Sequence, residues 1–346
     1  MSKSISILDC TLRDGGLGLE DAYKNKLSDI SFSHEDNDAI IRNLNRTNLD
    51  IIEIGSIEIS DDDKTRFAIY QDVKAISALI PADRNPESMY VGLFRGPDTP
   101  VEDIPVHDPS MVDGLRVIIR YSELDKSLDF CEALAEKGYK VFVQPMLTMR
   151  YTEEEIDRII RRSNEMKAYA LYFVDSYGYM QAEDVQRFLR RYDEGLDPEI
   201  RIGFHAHNNM NLAYANVLSF IGSDIQRELI CDSCAIGMGQ GAGNLQTELI
   251  APYLMENFGK KYNFRSILEI CDIIESYSAE SIWGYSVTRL LPALHKTAYK
   301  YAVSLRKHYK MSFAQIDAVL SVIPEELRHR YTPENTEKLL KLAGIR

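Results

Sequence analysis

Eight short, mostly apolar runs recur along the chain, each separated from the next by polar or helically spaced residues. They fall near 4–9 (SISILD), 51–56 (IIEIGS), 89–94 (MYVGLF), 115–121, 140–146, 171–178, 201–207 and 229–237. β-Branched and aromatic residues dominate them, and strict alternation of apolar and polar positions is rare. That pattern predicts parallel strands buried on both faces.

The intervening segments carry helical spacing. HEDNDAIIRNLNRTN places Ile40, Ile41 and Leu44 on one side. TEEEIDRIIRRSNEM opens on Thr152 with Glu155 three residues later, a capping-box pattern, and QAEDVQRFLRRYDEG has a similar form and stops at Gly195. The proline-rich stretch 97–112 predicts a short connection instead. Eight strand–crossover units in about 250 residues predict an α/β fold, a TIM (β/α)8 barrel, in preference to an open doubly wound sheet. The open sheet would need GMGQGA (Gly237 to Ala242) as its nucleotide fingerprint. That run sits in the eighth unit, and no acidic residue ends a further strand about 20 positions on. From about 257, FRSILEICDIIESY, FAQIDAVLSVIPEEL and YTPENTEKLLKLAG show apolar spacings of three and four, with Thr332 and Pro333 opening the last helix. The division expected is a barrel over 1–256 and a helical C-terminal extension over 257–346.

Charge narrows the partners. A net charge of −13 over 346 residues argues against a nucleic-acid backbone, which needs clustered Lys and Arg. No apolar run approaches the length of a membrane span, and MSKSISILDC lacks a signal peptide's apolar core. Five cysteines without a paired framework fit a reducing cytoplasm. Cys231 and Cys234 stand three apart on a strand and so face opposite sides, which points to packing rather than to a metal or redox motif.

Two stretches carry candidate chemistry. In FHAHNNMN, His205 and His207 are two apart at the carboxyl end of the seventh strand, so both rings leave one face, at the end where barrels place their sites. They serve either as ligands to a divalent cation or as satisfied histidines. In SILDCTLRDGGLG, the first strand ends in a turn that presents Asp9, Arg13 and Asp14. In a closed barrel this turn lies one strand away from the histidines, so Asp14 could share their cation. Arg13 offers a fixed fork of donors for an oxyanion or carboxylate. Asp9 is expected to support the turn. Glu53, inside the second strand, needs a cationic partner once buried, with Arg13 the natural candidate. Asn244, in the glycine-rich loop after the eighth strand, could supply an amide oxygen or orient a ligand.

LDCTLRDGG, HAHNN and GMGQGAGN together resemble the DRE-TIM metallolyases, the HMG-CoA lyase-like family, and are most similar to its 4-hydroxy-2-oxovalerate aldolase branch. The resemblance spans about residues 4–256. It implies Mn²⁺ or Mg²⁺ held by Asp14, His205 and His207, with Asn244 at a further ligand or near-ligand position and Arg13 stabilising an enolate. It also implies making or breaking a carbon–carbon bond of a small 2-oxo acid through pyruvate enolate. A homodimer, and an aldehyde dehydrogenase as partner, belong to the same expectation. The chain departs from that branch at Leu17, where the branch has an acid–base histidine. Tyr285 and Tyr177 are candidate replacements, and Ser176 a candidate substrate contact. The scaffold also suits an acyl-CoA-dependent Claisen condensation of the isopropylmalate or homocitrate synthase kind. A non-catalytic barrel that binds a protein partner is a further alternative. A barrel metallohydrolase is disfavoured, because its His-x-His pair would stand on the first strand.

Overall fold

The computed structural model describes residues 4–280 and 282–345, so residues 1–3, 281 and 346 lie outside the described part of the start and of the C-terminal extension. All eight apolar runs form strands: β1 (Ile5–Asp9), β2 (Ile51–Ile57), β4 (Met89–Phe94), β5 (Gly114–Ile119), β6 (Lys140–Pro145), β7 (Ala170–Asp175), β8 (Arg201–Ala206) and β9 (Leu229–Ser233). β3 (Ile69–Tyr70) is a short addition beside β2. Every pairing among the strands is parallel, and β1 pairs with both β2 and β9, which closes the sheet into an eight-stranded TIM barrel.

The strands show why a continuous apolar run was the signal. On β7, Leu171 and Phe173 pack outward into the layer shared with the helices, while Ala170, Tyr172 and Val174 fill the interior with Leu8, Ile51 and Phe142. Cys231 belongs to the outer layer and Cys234 to the interior, as their spacing required. The connection over 97–112 contains only the 3-10 turn Val101–Asp103. The predicted capping box forms, with Thr152 and Glu155 exchanging side-chain and backbone hydrogen bonds.

One local expectation is corrected. Where a turn and loop were expected after β1, the chain forms the helix Thr11–Lys24. Glycines at 15, 16 and 18 weaken its intrinsic propensity and hide its periodicity, but residues 11–22 are all buried and tertiary packing decides. A Cβ on Gly16 would lie 1.9 Å from the Phe67 carbonyl oxygen, so the close approach requires glycine.

Helices follow the barrel. Phe264–Ser278 still packs its Ile267, Ile270 and Ile274 into the barrel's outer layer, together with Trp283. A separate apolar cluster begins at Leu291 and runs through Tyr301, Leu305, Ile316 and Leu320 to Leu340. The change from one core to the other therefore falls some thirty residues beyond 257. No helix among the described residues is long and apolar enough to cross a membrane.

Candidate active site

Inward-facing positions near the carboxyl ends of the strands carry the polar residues. Arg13 and Asp14 occupy the first turn of Thr11–Lys24. Below them, Asp9 accepts from the Thr11 amide at 3.0 Å and from the Thr247 hydroxyl at 2.9 Å, which anchors the β1 end. Burial pushes the Asp9 carboxyl up to about 6, against these hydrogen bonds.

A closed ring of charged contacts runs through the barrel interior. Arg13 Nη1 lies 2.9 Å from Asp14 Oδ1, and Arg13 Nε donates to Glu53 Oε2 at 2.6 Å. Glu53 also accepts from Arg116 Nη1 at 2.8 Å, and Arg116 Nη2 donates to Asp232. Asp232 Oδ2 accepts from His205 Nδ1 at 2.8 Å, and His205 Nε2 returns to Asp14 Oδ2 at 3.5 Å. Glu53 thus has the partner expected of it, but it is fully buried beneath Arg13 and does not line the cavity. Arg116 and Asp232 were missed by the sequence reading. The available signal was parity: both stand at inward positions of buried strands, where a charge must be paired.

Asp14, His205 and His207 present donor atoms all within 4.8 Å of one another. The ring tautomers suit a cation. His205 spends Nδ1 on Asp232, and His207 donates Nδ1–H to the Asp175 carbonyl oxygen at 2.9 Å, so both Nε2 atoms remain for a ligand. Asn244 Nδ2 donates to Asp14 and to the Met238 carbonyl oxygen, while its buried Oδ1 has no partner among the described residues. Two imidazoles, a carboxylate and an orphaned amide oxygen form a donor set fit for a divalent ion. Burial opposes charge on Asp14, but Arg13 and His205 outweigh it and hold the carboxyl far below the usual range. Burial also lowers His205, yet Asp14 and Asp232 on either side raise it well above its ordinary value. A proton there stands where a cation would otherwise balance the two acids. His207 is pushed down to about 4 by burial and by its neighbour His205.

These groups open into a cavity of about 400 Å³ lined by Arg13, Asp14, His205, His207, Ser176 and Tyr177, among others. Leu17 also lines it, so the position lacking a histidine faces the cavity. Gln144 at the end of β6 is a lining residue that the sequence reading did not single out. Ser176 Oγ accepts from the Leu147 amide at 2.8 Å, which leaves its O–H free to donate. Tyr285 is placed elsewhere: it is 56% exposed and borders a neighbouring cavity, because the segment preceding helix Val287–Leu294 runs over the outside. Lys300, His329, Arg330 and Tyr331 from the extension cover the mouth. Lys300 and the Tyr299 hydroxyl both engage Asp21, tying the extension to Thr11–Lys24.

Comparison with known proteins bears on the fold and the class of protein. Residues 115–274 match the HMGL-like family. A 4-hydroxy-2-oxovalerate aldolase of Burkholderia pseudomallei is 28% identical over 212 residues, 58% of this chain and 59% of the relative. The match therefore spans less than two thirds of that relative's length. An oxaloacetate decarboxylase of Mycobacterium tuberculosis is 26% identical over 256 residues, 72% of this chain and 69% of the relative. Among solved structures, the N-terminal domain of a Bacteroides vulgatus protein provisionally called an aldolase superposes with a TM-score of 0.73 at 24% identity. That superposition covers 90% of this chain and 98% of the other and speaks for the fold. Residues 115–274 thus carry an HMGL-like domain, and with its barrel and its three motifs the chain is similar to the DRE-TIM metallolyases.

Proposed function

We propose that the protein is a divalent-metal-dependent carbon–carbon lyase that makes or cleaves a bond of a small 2-oxo acid by way of pyruvate enolate. The observation that carries this reading is the convergence of Asp14, His205 and His207 donor atoms within 4.8 Å, beside Arg13 and open to one cavity. Asp14 and the two histidines would hold Mn²⁺ or Mg²⁺, with Asn244 Oδ1 available beside them. Such an ion supplies Lewis acidity to the 2-oxo group of a substrate.

The chain's own residues do the rest. Arg13, fixed from behind by Glu53, aims its remaining N–H donors at the oxygen that gains charge as the enolate forms. Arg116 keeps Glu53 in place, and through Asp232 it also sets the His205 ring. Ser176 donates its hydroxyl to substrate. Arg330 adds a cationic group to the mouth beside Lys300, which Asp21 pairs, and with Arg13 this favours an anionic substrate inside an acidic protein. The names of the relatives support the same class, since 4-hydroxy-2-oxovalerate cleavage and oxaloacetate decarboxylation both release pyruvate enolate. The reading also carries a cytoplasmic homodimer and an aldehyde dehydrogenase partner, to be sought by gel filtration and co-purification.

Purified protein, stripped and reloaded with Mn²⁺, is expected to exchange the methyl protons of pyruvate in D₂O and to cleave 4-hydroxy-2-oxo acids. Inertness in both assays and toward oxaloacetate would sink the proposal.

A further inference from the structure

An aldol cleavage needs a group that removes the proton of the C4 hydroxyl and returns a proton to C3, and Leu17 can do neither. The cavity holds one more imidazole besides the metal-facing pair: His329, contributed by the helical extension. It is the centre of a hydrogen-bonded chain. His329 Nε2 lies 2.9 Å from Glu325 Oε1, and Nδ1 lies 3.2 Å from the Tyr177 hydroxyl. An ionised carboxylate only accepts, so Nε2 carries the hydrogen. In the neutral ring Nδ1 is then a lone pair that receives the Tyr177 O–H. The two rings are stacked with an interplanar angle of 2°.

Tyr177 is held firmly at the end of β7. The Asp175 carboxylate accepts from the Tyr179 amide at 2.9 Å and from the Met180 amide at 3.1 Å, folding the loop around it. Gly178 adopts φ +63°, and a Cβ there would meet Asn209 at 2.6 Å, so the turn that aims Tyr177 needs glycine. Glu325 is 65% exposed while the His329 side chain is only 14% exposed, so the chain of hydrogen bonds leads from the cavity to solvent.

Resting on the enolate reading above, we propose that Tyr177 is the catalytic acid–base group and that His329 and Glu325 position and recharge it. In the cleavage direction the C4 hydroxyl gives its proton to the Tyr177 oxygen as the Tyr177 proton moves to His329 Nδ1. The C3–C4 bond then breaks, its electron pair passing to the enolate and the C4 oxygen becoming the aldehyde carbonyl. The proton returns from His329 through Tyr177 to C3. No proton or electron is gained or lost overall. The groups around the ring are Glu325 and Arg328 on its own segment, Arg150 after β6, Tyr177 and Tyr179 after β7, and Lys296. Burial and the two arginines hold His329 below its ordinary value, so the ring is neutral and able to accept at neutral pH.

Oxaloacetate separates this proposal from the reading beneath it, because loss of CO₂ yields the enolate without any base. Tyr177→Phe and His329→Ala are expected to lose about 10²-fold or more in kcat for 4-hydroxy-2-oxo acid cleavage and for pyruvate methyl exchange, with CO₂ release from oxaloacetate within about threefold of the parent. Retained decarboxylation also shows that the variants fold. Added imidazole should restore part of the His329→Ala activity in proportion to its free base and leave Tyr177→Phe unchanged. Cleavage at more than half the parent rate in both variants would overturn the relay. So would parallel loss of cleavage and decarboxylation without rescue, which marks a docking contact only. Parent protein inert in every assay removes the enolate reading and the relay with it.

Discussion

Replacing Arg116 by methionine probes whether the interior ring of charges holds the barrel and its site together. Arg116 has no exposed surface and joins Glu53, at 2.8 Å, to Asp232. Methionine retains much of the apolar stem but supplies no donor and loses the guanidinium that lies over Tyr172. Glu53 keeps Arg13 and Asp232 keeps His205, so neither acid is left without a partner. The cost should therefore sit near the lower end of the about 3–5 kcal/mol that follows loss of one partner of a buried pair. Urea unfolding followed by far-UV circular dichroism measures it, with an unchanged m-value showing that stability alone has moved. The triple variant Glu53→Gln, Arg116→Met, Asp232→Asn should regain at least half of the loss, because the two acids that each lost one of two counter-charges are then neutral. A loss below about 1 kcal/mol for Arg116→Met would refute charge pairing as the source of cohesion, as would a triple variant no better than the single one.

Other outcomes follow from neighbouring features. Asp14→Asn should lower Mn²⁺ affinity at least about 10-fold, read by metal content after dialysis, since a charged ligand becomes neutral. Gly16→Ala forces a Cβ to 1.9 Å from the Phe67 carbonyl oxygen and should destabilise by about 1–3 kcal/mol or prevent folding. Alanine at Gly195, where the nearest atom is the Ile160 Cγ2 methyl at 2.9 Å rather than a backbone oxygen, should cost less when the two variants are compared by thermal melting. Asp9, raised to about 6 by burial, binds its proton more tightly folded than unfolded, so its contribution is complete below its unfolded value and is lost as pH rises through about 6. Asp9→Asn should flatten the fall in stability between about pH 4 and pH 6, and an unchanged slope would refute the assignment. Chelation of the metal-loaded protein should lower its melting temperature, and Asp14→Asn should abolish that difference.

The barrel was legible because buried parallel strands need apolar side chains on both faces, and each of the eight runs supplied them. The convergence of Asp14 with His205 and His207 was legible too, since ring closure brings the ends of the first and seventh runs within one strand of each other. What escaped had a different physical origin. The helix after β1 was hidden by three glycines, which admit the Met238 side chain at Gly15 and neighbouring backbone at Gly16 and Gly18. Arg116 and Asp232 stood in runs read only for their apolar majority, so their inward parity went unused. His329 could not be found at all from spacing. It enters the cavity because the extension folds back over the mouth, and no local pattern near residue 329 records that return.

The ring of charges draws on residues from both ends of the barrel's sequence, and its last link, Asp232, is synthesised more than two hundred positions after Asp14. A nascent chain that has emerged only as far as β7 owns the carboxylate but neither imidazole. On the proposed reading, tight capture of a cation would be a readout of barrel closure, and no reactive metal would be held on a half-made scaffold.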